Sequence, residues 1–227
     1  MQPSQAAFLR GIRAETPLLI GVFPFGLIYG ASALAAGLTP AAAQTMSSVV
    51  FAGSAQFIAV ALLQAGVPAA VVVLSILVIN LRHVLYSASI APYVKRLSAG
   101  WKATLSYLLT DEAYAATIVH YGEGGPSSHG HWFFLGAGAA LWTVWQISTA
   151  LGIFLGASIP SSWPLEFALP LTFIALIVPA LSDRPSVLAA VSAGVVAILA
   201  HGLPYQLGLI VAALSGIAIG MLAEARQ

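Results

Sequence analysis

Three ionisable residues lie inside otherwise apolar stretches of the chain: Arg82, Asp111 and Glu112. Charge within a lipid-embedded helix is costly, and such residues commonly mark ion pairs, proton relays or solute paths. Counted from Ser98, Arg82 lies 16 residues back and Asp111 lies 13 residues on. At about 1.5 Å per residue the two fall within roughly one helical turn in depth, if their segments form a hairpin. A salt bridge is therefore within reach. Adjacent helical residues diverge by about 100°, so one guanidinium is not centred on both acids. One of Asp111 and Glu112 is expected to pair with Arg82, leaving the other to carry a proton or face a cationic group. The competing role is a static network that locks the helices, since buried ion pairs often serve structure.

More polar residues gather nearby. Tyr86 is four residues after Arg82 and shares its helical face, while Asn80 and His83 share another. Such density suggests a lined cavity, although His83 alone would read as a packing residue. Tyr107 and Tyr114 flank the acids at helical spacing, to line the same cavity or to hydrogen-bond the acids. A second, uncharged group is Gly53-Ser54-Ala55-Gln56, set between Phe51 and Phe57.

The elements that must position these residues follow from composition. Of 227 residues, 59% are hydrophobic and 7% are charged. A water-exposed domain carries roughly 25% charged residues, so this surface is suited to lipid. A spanning helix needs about 20 apolar residues. Candidate segments run from Thr16 to Leu38, Ala41 to Ala65, Val67 to Tyr93, Ala103 to Tyr121, Trp132 to Ala157, Leu165 to Leu181, Ser186 to His201 and Tyr205 to Ala223. The expected fold is an all-α polytopic membrane bundle in a single domain over 1–227, with about seven spanning helices. The first segment follows Arg10 and Arg13, and Ala33-Leu34-Ala35 resembles a cleavage site. Its spanning length favours a retained helix over a signal peptide.

Lysine and arginine mark cytoplasmic loops. Arg10 with Arg13, and Lys95 with Arg96 and Lys102, should share the cytoplasmic side, so an even number of crossings should separate them. Three segments lie between. The second, centred on Gly-Ser-Ala-Gln, is the most polar, and it is expected to break or re-enter; broken helices are tolerated where they line a protein-enclosed cavity. A continuous helix using small residues for close packing is the alternative. Seven crossings would place the C-terminus outside and the N-terminus inside.

Trp142 and Trp145 lie mid-segment, where packing inside the bundle is expected, whereas Trp101, Trp132 and Trp163 lie at segment ends as interface anchors. Pro170 and Pro179 bracket a short stretch after Glu166, resembling a second interrupted helix in the other half of the chain. Paired interruptions of this kind point to an inverted-repeat transporter, although no residue-level repeat is evident. Glu166 itself reads most simply as a headgroup-level residue. With no cysteine, thiolate metal sites and disulfides are excluded. No Walker A, G-x-S-x-G or H-E-x-x-H motif occurs. His129 and His131 are too few for a zinc site. The net charge of +1 gives no reason to expect nucleic-acid binding. No cofactor or metal is expected, and an intramembrane enzyme would need a nucleophile–base pair that is not recognisable.

Four stretches, Phe51-Ala52-Gly53-Ser54-Ala55-Gln56-Phe57, Asn80-Leu81-Arg82-His83-Val84-Leu85-Tyr86, Thr110-Asp111-Glu112-Ala113-Tyr114 and Phe167-Ala168-Leu169-Pro170-Leu171-Thr172-Phe173-Ile174-Ala175-Leu176, resemble the AzlC family in order and spacing. The resemblance covers nearly the whole chain; Glu166 departs from it mildly, where the family often has aspartate. It implies the large subunit of an exporter of leucine, isoleucine, valine and sometimes methionine in the bacterial inner membrane. It further implies a small, separately encoded hydrophobic partner of the AzlD type. A zwitterionic solute needs an anion site, a cation site and an apolar pocket. Backbone N–H groups near Gly53 to Gln56 would hold the carboxylate, Asp111 or Glu112 the ammonium, and Phe51 and Phe57 the side chain. Proton coupling through one of the acids is expected. The other function class to weigh is a channel-like or structural membrane subunit.

Overall fold

The computed structural model describes residues 2–124, 129–156, 181, 183–203 and 207–225, and among them every regular element is helical. In chain order these are α1 (Pro3–Ala35), α2 (Pro40–Val50), α3 (Gly53–Gln64), α4 (Ala69–Asn80), α5 (Arg82–Val94), α6 (Ala99–Tyr107), α7 (Asp111–Gly124), α8 (Gly130–Gly156), α9 (Arg184–Leu199) and α10 (Leu207–Glu224). Among the described residues, three stretches are long and apolar enough to cross a membrane: Pro3–Ala35, Ala69–Val94 and Gly130–Gly156. The chain is thus a helical membrane bundle. It forms two compact units, one of residues 1–60 and 79–160, the other of residues 61–78 and 161–227.

The first unit is built on α1 against α8. Lipid gives apolar helices little reason to associate, so close packing of small residues must supply it. A β-carbon on Gly11 would collide with the Phe133 carbonyl, and one on Gly136 with the Phe8 carbonyl. Further along, Gly152 meets Leu27 and Gly156 meets Ala31. Contacts rise together along both helices, so α1 and α8 run parallel.

Helices α2 and α3 form a hairpin. Thr39 caps α2 by accepting from the Ala42 amide (3.2 Å), and Pro40 opens the helix. The helix ends at Phe51, whose φ of 38° and ψ of 47° are left-handed, and α3 begins at Gly53. Fourteen residues of straight helix would separate Ala43 from Phe57 by about 21 Å. Instead both reach Tyr29: its hydroxyl donates to the Ala43 carbonyl (2.9 Å), and its ring meets Phe57 edge-on at 5.9 Å. The segment therefore folds back on itself. The break lies at Phe51–Ala52, just before the expected Gly-Ser-Ala-Gln centre, and Gly53 to Gln56 form the first turn of α3.

The fourth expected segment, Ala103 to Tyr121, is not one continuous helix. It is interrupted over Leu108, Leu109 and Thr110 between α6 and α7. Trp101 near the start of α6 packs edge-on to Trp132 at 5.0 Å, and His120 late in α7 stacks on Phe133 at 3.9 Å. Residues 19 apart thus return to one end of α8, where a straight helix would have carried them about 28 Å. The turn between them lies against the middle of α8, with Leu108 on Gly138 and the Trp142 indole donating to the Tyr107 hydroxyl (2.7 Å). Asp111 and Glu112 accordingly open a half-helix instead of lying mid-helix. The third expected segment runs on through Leu81, which keeps helical backbone angles where α4 passes into α5.

Helix α5 runs parallel to α7. Tyr86 stacks on Tyr114 at 4.4 Å, Ser89 meets the Tyr114 hydroxyl at 3.1 Å, and Tyr93 stacks on Tyr121 at 4.5 Å. Since α7 descends along α8, α5 is antiparallel to α8. The α1 arginines, Lys95, Arg96 and Lys102 therefore share one end of this unit, as charge parity required.

In the second unit α9 and α10 form an antiparallel pair, with Gly208 against Ala200, Gly216 against Ala193 and Gly220 against Ala189. Asp183 caps α9 through the Ser186 amide (2.8 Å), which holds its carboxyl below the usual carboxylate range. The Leu165 to Leu181 segment with Glu166, Pro170 and Pro179, and Trp163 before it, fall outside the described residues apart from Leu181.

Candidate functional site

Both hairpin tips meet on Arg82. Its guanidinium donates to the Ser54 hydroxyl of α3 at 2.6 Å and pairs with the Asp111 carboxylate of α7 at 2.8 Å. The Tyr86 hydroxyl donates to the other Asp111 oxygen at 2.7 Å. Local structure explains the pairing. An aspartate at the first position of α7 is favoured by the positive end of that helix. Thr110 completes the α7 start by accepting from the Ala113 amide (3.3 Å). The side chains of Arg82 and Asp111 retain 29% and 37% exposure, so the pair is half-open.

The structure therefore selects Asp111 as the partner of Arg82, and leaves Glu112, which is partly buried, outside that pair. It is Tyr86, not Tyr107 or Tyr114, that satisfies the acid. Tyr107 donates to the Ser48 carbonyl at 2.6 Å, and Tyr114 is held by Ser89. Phe51 packs its ring 5.9 Å from Tyr107, so the tips also touch through aromatics. His83 turns back to the Asn80 carbonyl at 3.2 Å, while the Asn80 side-chain oxygen is buried without a partner.

Behind Gly53 and Ser54 lies an aromatic enclosure. Phe57 meets Phe25 and Tyr29 edge-on at 5.7 and 5.9 Å, and Tyr29 stacks on Trp145 at 6.0 Å. A β-carbon on Gly53 would come within 3.1 Å of the Trp145 ring. Gln56 is fully buried here against Tyr29, and the Trp145 Nε1 has no protein partner. Buried polar groups are nearly always hydrogen-bonded, so the fully buried Gln56 side chain gives this aromatic enclosure a polar wall.

A cavity of about 340 Å³ runs along α6 between Lys102 and Leu109. Lys95 lies at its charged end, Ser87 and Ser106 on its walls, and Ile90 and Phe134 supply apolar surface. Leu109 brings it to the residue before Thr110, so it leads towards the α6–α7 hairpin tip. Among the described residues no group of three metal-ligating side chains occurs. His131 packs edge-on to Trp101 at 4.7 Å.

Sequence reasoning missed the α2–α8 polar seam. Gln146 accepts from Gln44 (2.7 Å) and Ser48 (3.0 Å), and Ser47 meets Thr149 at 3.1 Å. Single uncharged residues spread along an apolar helix give no local signal; only their common face on α8 (Gln146, Thr149) hinted at it. It also missed Glu15, fully buried inside α1, because the apolar run begins at Thr16.

A family model described as AzlC protein matches residues 17–159, which include both hairpins, Arg82 and α8. The chain is 28% identical to the Escherichia coli inner membrane protein YgaZ, with 97% of this chain and 90% of that protein covered. It is 30% identical to a membrane protein of Archaeoglobus fulgidus, with 93% of each covered. A Helicobacter pylori membrane protein is 26% identical over 74% of this chain and 75% of its own length. No solved structure matches. Fold, motifs and relatives agree: the chain is a membrane protein of the AzlC family.

Proposed function

We propose that this chain is the large subunit of a secondary transporter that exports branched-chain amino acids across a bacterial inner membrane. The observation that carries the reading is the pair of half-helix hairpins. Their tips bracket Ser54, Arg82 and Asp111 beside the buried Gln56 amide. Discontinuous helices meeting at mid-depth are how many carriers build solute sites. The start of α3 and Gln56 suit a carboxylate, Glu112 suits an ammonium, and the Phe51 and Phe57 surroundings suit an aliphatic side chain. The cavity between Lys95 and Leu109 would be the vestibule on the basic, cytoplasmic end, with the N-terminus on that side. A small AzlD-type subunit would complete the complex. The site offers recognition and coupling, and the chain is read as a carrier instead of an enzyme.

Counterflow of labelled leucine in proteoliposomes, with and without the small subunit, tests this. Saturable exchange that competing isoleucine and valine suppress, but glutamate does not, is expected. Linear, unsaturable flux would overturn the carrier reading. It would favour the other role, a channel-like or structural subunit, which the two-sided tethering of Arg82 also suits.

A further inference from the structure

The cavity beside α6 has a shape and a charge that solute passage alone does not require. Ser87, Ile90, Ala91 and Val94 line it from α5, and their spacing puts them on one helical face. Lys102, Leu105 and Ser106 of α6, with Leu109 just beyond, line it at the same spacing. The cavity is thus a groove between two antiparallel helices joined at Lys95 to Ser98. From Lys102 to Leu109 it runs about 10 Å along the helix axis.

Floor and rim differ. Ile90, Leu105, Leu109 and Phe134 are buried and apolar, whereas Ser87, Ala91 and Ser106 are exposed. The groove is therefore open along its side. On α5 that rim belongs to the spanning stretch Ala69–Val94, so the opening lies at membrane depth. Charge is confined to one end, where Lys95 and Lys102 both reach the groove and both are exposed. Among the described residues the ion pair joins Arg82 to Asp111, so neither lysine is tied to a carboxylate. No acid lines the groove. By the orientation above, this basic end lies on the cytoplasmic side.

We propose that the groove seats one anionic phospholipid of the cytoplasmic leaflet, with its phosphate between Lys95 and Lys102 and an acyl chain along the apolar floor. Basic pockets between helices on this side of a membrane suit such headgroups. Two lysines without an acid favour a headgroup of net negative charge, and give the ammonium of a zwitterionic lipid no partner. The floor adds dispersion contacts that a soluble phosphate could not use. Where the same cavity serves as the solute's vestibule, the seated lipid competes with solute for it. That competition rests on the transport reading; the lipid seat does not.

Native mass spectrometry tests the seat, on full-length protein released from vesicles of mixed phosphatidylethanolamine and phosphatidylglycerol. One retained phosphatidylglycerol per chain is expected, in preference to phosphatidylethanolamine. The double variant Lys95→Gln, Lys102→Gln should weaken that preference about tenfold. Ala91→Trp keeps both lysines but fills the groove, and should also lose the bound lipid. Both changes lie on exposed positions, so folding should survive them. Retention that neither variant alters overturns the seat. Retention lost in the lysine variant but kept in Ala91→Trp would mean headgroup attraction at the surface, and also overturns it. So would displacement by excess inorganic phosphate, or by the co-expressed small subunit, which would give the groove to that chain. For the competition, half-saturating leucine in counterflow should rise with the phosphatidylglycerol share in the unmodified protein. An unchanged value overturns the competition. Absence of any leucine counterflow would instead sink the transport reading, with the mass spectra still deciding the lipid seat.

Discussion

The α2–α3 hairpin turns through Phe51 and Ala52 without a charge, whereas the α6–α7 hairpin turns through Leu108, Leu109 and Thr110 into Asp111 and Glu112. The first is held from outside. Phe51 sits in a left-handed conformation that costs a non-glycine residue roughly 1–2 kcal/mol. Its buried ring and the Gln44–Ser47–Ser48 seam on α8 offset that cost. The second is held from inside, by its own threonine cap and by acids that favour a helix start. Arg82 belongs to neither, and it bonds both. An uncharged tip facing an acidic one gives a polar solute two chemically distinct ends to meet.

The largest effect should come from the residue that joins them. Arg82→Gln leaves Asp111 without its cation, and should lower stability by about 2 kcal/mol. That is below the cost of orphaning a deeply buried ion, because both side chains are partly exposed. Thermal unfolding in detergent would measure it, and the double variant with Asp111→Asn should recover most of the loss. If the double variant is no better than Arg82→Gln, the pair is not the link between the hairpins.

Packing separates the tips next. Gly138→Val would press on Leu108, since even a β-carbon there comes within 2.7 Å of the Leu108 β-carbon. A loss of about 2 kcal/mol is expected, as for an overpacked core. Gly53→Ala meets only the edge of the Trp145 ring at 3.1 Å, and should cost under about 1 kcal/mol. Equal losses on unfolding would mean that the two tips are supported alike.

The caps give the smallest contrast. Thr110→Ala removes a buried cap at the acidic tip and should cost about 1 kcal/mol. Thr39→Ala removes an exposed one at the entry to α2, for about 0.5 kcal/mol. Amide exchange at Ala113 and Ala42 would report each locally.

Much of the first unit was legible in residue types. The basic clusters demanded a segment that enters and leaves on one side, and the α2–α3 segment folds back in that way. The second hairpin was not legible. Residues 103–121 have the length and hydrophobicity of one span, which masks the local helix-start signal of Thr110 before Asp111 and Glu112. The choice of Asp111 over Glu112 was equally hidden, because neighbouring acids have the same reach until the start of a half-helix sets their directions. Glu15 was invisible as a buried acid, since hydropathy places it at the edge of a span while α1 extends to Pro3.

The sequence alone determined that this chain lives in lipid, that its charges are few enough to need partners, and that its motifs are those of the AzlC family. Those properties are sums over residues or short strings, which need no coordinates. Only the tertiary structure decided that two segments fold back, and that Arg82 ties their tips together. Only it placed Glu15 out of reach of water. Each of these depends on which faces of distant helices meet, and glycine contacts between α1 and α8 set that at a range no local pattern encodes.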